Sequence, residues 1–147
     1  MTALSIIHGP NLNLLGEREP HFYGSWSLDG LHIEIADRFP NVDIRVFQSN
    51  HEGEIVDAIQ AARDWASGII INGGALSHTS YAIHDAIKAV KVPCVEVHIS
   101  NVYAREAFRH HSVLVPACVG QISGLGKYSY LLAIEYFLAG GPEYASS

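Results

Sequence analysis

Short runs of aliphatic and β-branched residues recur at Leu4 to Ile7, Val42 to Phe47, Ile69 to Ile71 and Val95 to Val97, separated by helix-length segments. This alternation constrains the fold more than any other feature, because strands interrupted by helices join in parallel through βαβ crossovers. The intervening segments carry apolar residues at helical spacing: Leu28, Leu31, Ile35 and Phe39, then Ile55, Ile59 and Ala62, then Ile83 and Ile87. Pro40 and Pro93 mark the returns to strand, since proline cannot continue a helix. A last helical stretch, Tyr128 to Leu138, closes the pattern. Strands apolar on both faces belong to a covered parallel sheet, so the expectation is an α/β, doubly wound, flavodoxin-like arrangement of about five parallel strands between helices.

The chain has 147 residues, the size of one domain, and residues 1–147 are read as a single domain whose tail, 140–147, is expected to fray. A hydrophobic fraction of 48% with 16% charged residues argues for a packed core and against disorder. The net charge of -6 disfavours nucleic acid, whose phosphates select basic surfaces. A small anionic substrate therefore needs a local positive pocket. The first residues lack a basic segment followed by an apolar one, and no apolar run approaches the ~18 to 20 residues of a membrane span, so a cytoplasmic protein with no membrane contact is expected. Cys94 and Cys118 read as reduced thiols in apolar segments.

In open parallel sheets, ligands bind beyond the carboxyl ends of the strands, near the point where strand order reverses. The residues following the apolar runs are Pro10-Asn11, Ser49-Asn50, Asn72-Gly73-Gly74 and His98-Ile99-Ser100, so polar and glycine residues gather on one edge. Any one of them could simply cap a helix or form a turn; four together favour a site. Glu96 and His98 stand two apart on an extended strand and therefore share a face, where a carboxylate can orient an imidazole and favour its charged form. Alone, such a pair serves equally well as a structural hydrogen bond. Ser100-Asn101 looks like a helix start suited to a carboxylate, with Asn101, Arg105 and Arg109 at intervals of four along one face. Arginines at that spacing are often solvated salt-bridge partners, yet the chain has only six, and two flank this anion site.

Leu12 to Gly24 shows no clean period and is bracketed by glycine and proline, as in a loop over the strand ends. It carries Arg18 and Tyr23, and a nearby cation is what would lower a phenol from about 10 into a useful range for a base. An ordinary surface loop with an exposed aromatic explains the segment as well. Gly124-Leu125-Gly126 lacks the third glycine of a dinucleotide fingerprint. Nine histidines form no metal-binding pair with a supporting glutamate, so no metal is expected. Lys88, Lys91 and Lys127 are poorly placed for imine chemistry.

The blocks GPNLNLLGEREPHFYG (9–24), QSNHEGEIVDAI (48–59), INGGALSHTSYAIHDAI (71–87), EVHISNVYAREAFR (96–109) and GQISGLGKYSYLLAIEYF (120–137) resemble, in order and over nearly the whole chain, the signature of type II 3-dehydroquinate dehydratase. The resemblance implies a flavodoxin-like fold and a lyase that dehydrates 3-dehydroquinate to 3-dehydroshikimate by anti elimination through an enolate, without cofactor, in the shikimate or the quinate pathway. It implies Tyr23 as the base, Arg18 as the cation lowering its pKa, His98 as the acid held by Glu96, and Asn11 as stabiliser of the enolate through a water. Asn72, His78, Arg109 and the backbone amides of Ile99 and Ser100 would hold the substrate. Arg105 would set the lid and local field. Asp85 would reach a neighbouring subunit's site, which implies a homo-oligomer built from trimers, usually a dodecamer. The chain departs from the common pattern at Gly73, Ser77 and His84, where Pro or Ala, Thr and Arg are usual; Gly73 is expected to loosen its turn. The alternative of another class is a noncatalytic flavodoxin-like ligand-binding module.

Overall fold

The computed structural model describes residues 2–17 and 26–142. Five strands, β1 (Ala3–His8), β2 (Asp43–Gln48), β3 (Gly68–Asn72), β4 (Cys94–His98) and β5 (Gly120–Ser123), form one sheet in the order β2-β1-β3-β4-β5. Every neighbouring pair is parallel. The predicted flavodoxin-like order is therefore present, with the reversal between β1 and β3.

Among the described residues, four α-helices cover the sheet: α1 (Leu28–Arg38), α2 (Glu52–Ala62), α3 (Tyr81–Val90) and α4 (Tyr128–Leu138). Ser27 caps α1 by accepting from the Gly30 amide at 3.0 Å, and Ser80 caps α3 by accepting from the Ile83 amide at 3.1 Å. Side-chain alternation divides the core into two layers. Leu4, Ile6, Ile70, Val95 and Val97 meet α1 and α4 on one face; Ile7, Ile69, Ile71 and Cys94 meet α2 and α3 on the other. Central strands β3 and β4 are buried throughout, which is why they read as continuous apolar runs. The edge strands β2 and β5 are only partly covered. Cys94 is buried and Cys118 half-buried, and both thiols are free. Among the described residues, no helix is long and apolar enough to cross a membrane.

Candidate active site

At the carboxyl edge of the sheet lies an open cleft. Its walls come from the segments after β1, β3 and β4, so the placement rule for open α/β sheets holds. Asn11, Asn72, His78, His98, Ile99, Ser100, Arg105 and Arg109 all line it. Ser49 and Asn50 do not; Asn50 instead supports the wall, its side-chain oxygen accepting from the Asn11 amide at 2.9 Å. That contact accompanies a left-handed backbone at Asn11, with φ of 70°.

Close contact between the β1 and β3 ends brings the first and third walls together. Gly9 donates its amide to the Asn72 carbonyl at 2.7 Å, and a Cβ at Gly9 would fall 2.4 Å from the Gly73 carbonyl oxygen. No larger residue fits at position 9 without moving that backbone. Gly73, one of the departures from the common pattern, follows directly after Asn72. Its φ is −75°, open to any residue, so the glycine adds no special conformation there. What distinguishes the site is space: a Cβ would meet the Ser77 hydroxyl at 2.7 Å and Leu114 at 3.0 Å. Positions 73 and 77 are thus in contact, and the two departures bear on one another.

Glu96 and His98 do share a face, and the His98 Nε2 meets a Glu96 carboxylate oxygen in a short hydrogen bond. Glu96 is fully buried. Its carboxylate also accepts from Ser112 Oγ at 2.7 Å and Gln121 Nε2 at 2.9 Å. Burial opposes its ionisation, but the bond and charge of His98, with the Ser112 and Gln121 donors, outweigh that and hold Glu96 below its ordinary value of 4.5. An ionised Glu96 fixes the orientation of the imidazole, leaving Nδ1 as the nitrogen not tied to the carboxylate. Neither Ser112 nor Gln121 was among the expected site residues. Gln121 sits opposite Glu96 in the β4–β5 register, a polar residue inside a strand, whereas Ser112 lies in irregular backbone that carries no period.

The Ser112 segment is itself clamped. His78 Nδ1–H donates to the His111 carbonyl at 2.8 Å and His84 Nδ1–H to the Val113 carbonyl at 2.7 Å, while the Val113 amide donates to the Ser77 carbonyl at 2.8 Å. His84, one of the departures from the common pattern, therefore serves the loop that carries Ser112. The His78 ring stacks near His98 with centroids 6.2 Å apart; burial, together with the neighbouring His98 and Arg109, lowers its pKa despite the His111 bond.

Arg105 and Arg109 both reach the cleft, but not from one helix. The chain makes two 3-10 turns, Val102–Ala104 and Ala107–His110, with Arg105 extended between them at φ −116°, ψ −164°. The helix start expected at Ser100-Asn101 is a single 3-10 turn and not an α-helix, capped by Asn101, whose side chain accepts from the Tyr103 amide at 3.2 Å. Both arginines still form a cationic wall of the cleft. The Arg105 side chain is 4% exposed and donates to Ser100 Oγ at 3.3 Å, and Arg109 pairs with Glu106 at 3.1 Å. Arg105 is thus largely withdrawn from water, while Arg109 is half-buried and pairs with an exposed carboxylate at the cleft rim. Asp85 is exposed on α3 and does not line the cleft. Arg18 and Tyr23 lie outside the described residues.

A second polar group borders the cleft from the opposite face of the sheet. Asn72 Nδ2 donates to the Tyr130 hydroxyl at 2.9 Å, Tyr130 meets His8 Nδ1 at 3.1 Å, and His8 Nε2 meets His32 Nε2 at 3.0 Å. Sequence reasoning identified only Asn72 among these.

Residues 2–138 match the family model described as Dehydroquinase class II. A protein of Caldicellulosiruptor saccharolyticus named 3-dehydroquinate dehydratase is 57% identical over 138 residues, covering 91% of this chain and 94% of that protein. A like-named protein of Gloeothece citriformis is 53% identical, with 92% and 93% covered. The crystal structure of a type II dehydroquinase from Butyrivibrio crossotus superposes with a TM-score of 0.91 at 45% identity, covering 93% of this chain and 97% of that one.

Proposed function

The chain belongs to the class II dehydroquinase family, and we propose that it dehydrates 3-dehydroquinate to 3-dehydroshikimate by anti elimination through an enolate. The observation that carries this reading is the buried Glu96–His98 pair at the head of a cleft walled by Arg105 and Arg109. A carboxylate-held imidazole is suited to protonating a leaving hydroxyl, and the guanidinium groups supply the positive field that an anionic substrate requires in a protein of net charge -6.

In this mechanism Tyr23, with its pKa lowered by Arg18, removes the proton from C2. The electron pair becomes the enolate, whose oxygen Asn11 stabilises through a water. Collapse of the enolate expels the C1 hydroxyl, which takes its proton from His98. Asn72, His78, Arg109 and the amides of Ile99 and Ser100 hold the carboxylate and ring hydroxyls, and Arg105 sets the local field. Base and acid on opposite sides of the ring give the anti course. Asp85 serves a neighbouring subunit's cleft, in a homo-oligomer of trimers that reaches a dodecamer. The protein acts in the cytoplasm, in the shikimate or quinate pathway.

Incubation of the pure protein with 3-dehydroquinate is expected to produce the ultraviolet absorbance of a conjugated enone. Tyr23→Phe is expected to abolish that signal by several orders of magnitude, about 10²–10⁴ being typical for a lost acid or base, with ligand binding retained. A folded, oligomeric protein that is silent in this assay would be the ligand-binding module instead.

A further inference from the structure

The group beside Asn72 has a proton arrangement that can be worked out from its end in the cleft. Asn72 Oδ1 accepts from the Gly74 amide at 3.1 Å, which orients the side-chain amide and sends Nδ2 to the Tyr130 oxygen at 2.9 Å. An amide nitrogen only donates, so Tyr130 accepts there and its own proton goes to His8 Nδ1, 3.1 Å away. His8 must then carry its proton on Nε2, and it donates to His32 Nε2 at 3.0 Å. His32, accepting at Nε2, keeps its proton on Nδ1.

Only this direction satisfies each buried group. Reversal at His8 would turn the Tyr130 hydroxyl proton back toward an amide that is already a donor, and an unmade bond on a fully buried tyrosine is costly. A charged His8 would carry a proton on both nitrogens and break the direction. Burial, with His32 beside it, keeps the His8 pKa at about 3.

We propose that Tyr130, His8 and His32 are positioning residues, a one-way hydrogen-bond chain from α1 to the cleft that fixes Asn72 with its second Nδ2 proton available to an oxygen of the substrate. Asn72 lines the cleft, and Nδ2 has two protons, of which Tyr130 takes one. The site therefore selects an acceptor at this point, a carboxylate, carbonyl or hydroxyl oxygen. This rests on the proposed function in one respect: the ligand whose oxygen is read is 3-dehydroquinate.

Two measurements test it separately. Histidine ¹⁵N NMR of the ligand-free protein is expected to show His8 protonated at Nε2 and bare at Nδ1, and His32 the reverse; any other pair of tautomers overturns the chain, whatever the protein catalyses. In steady-state kinetics with 3-dehydroquinate, Tyr130→Phe is expected to raise KM about tenfold and change kcat by less than about threefold, the size of one hydrogen bond made in the ground state. His32→Leu is expected to raise KM by about threefold, and His32→Gln, which keeps an acceptor, to restore it. His32 is half-buried on α1, so these variants remain informative if Tyr130→Phe misfolds. Unchanged KM in folded variants, or a fall in kcat without a rise in KM, overturns the positioning role. A wild-type protein without turnover would instead defeat the proposed function, while the tautomers still decide whether the chain exists.

Discussion

Glu96 and His98 project from β4 toward the α2–α3 layer, whereas His8 and Asn72 project from β1 and β3 toward α1 and α4. Both groups are almost fully removed from water. They meet that demand differently. On the first face a single carboxylate gathers His98, Ser112 and Gln121, so that charge stabilises the arrangement and any well-aimed donor is accepted. On the second face no group is charged, and four neutral partners are satisfied only when every proton points the same way. The contrast suggests a division of labour. A charged cluster tunes a proton donor, and a neutral directional one holds a contact in place.

That division is sharpened most by replacing the acid. His98→Gln retains size and polarity but removes proton transfer, and is expected to lower kcat by about 10³ while changing KM little. Steady-state rates with 3-dehydroquinate check it, and a loss under tenfold would end the distinction between the two faces. Glu96→Gln is expected to cost less, about 10- to 100-fold in kcat, because the ring keeps a hydrogen-bonding neighbour but loses its counter-charge. A variant with normal kcat and a raised KM would mean that Glu96 behaves as a positioning group like those on the opposite face.

The two faces were also unequally legible from the sequence. Glu96 and His98 stand two residues apart, and strand alternation alone puts them on one side. Nothing local connects His8 with Tyr130, 122 positions away, since only the stacking of α4 over β1 and β3 brings them together. The apolar runs announced β1 to β4 because buried parallel strands are rich in Ile and Val, while Gly120–Ser123 has no such run and sits at a half-covered edge. Arg105 and Arg109 reached the cleft for a reason other than helical spacing: the extended backbone at Arg105 separates two tight turns. Local periodicity cannot foresee a break imposed by tertiary contacts. Arg18 and Tyr23 stood out in an aperiodic loop as a candidate cation and phenol pair, but an ordinary surface loop explained that segment as well, and only the resemblance gave them roles.

Acid should separate the faces by a smaller effect, in stability. His8 has a folded-state pKa of about 3 against an ordinary 6.5, so between those values the native protein binds fewer protons than the unfolded chain. Stability is then fully present above about 6.5 and falls as pH drops toward 3, by up to about 1.4 kcal/mol per pH unit. His32 and His78 are lowered as well, chiefly by burial, and add in the same direction. Glu96 is also lowered, but from 4.5, so its contribution is intact above that value and is lost only as pH falls through its folded-state pKa. Between pH 7 and pH 5 the loss therefore belongs to the histidines and not to the carboxylate. Urea unfolding at pH 7, 6 and 5 is expected to show wild type losing about 2 kcal/mol or more, with His8→Asn, though less stable throughout, losing less per pH unit. Parallel slopes in the two proteins would mean that His8 is not held neutral, and the one-way proton arrangement would lose its central link.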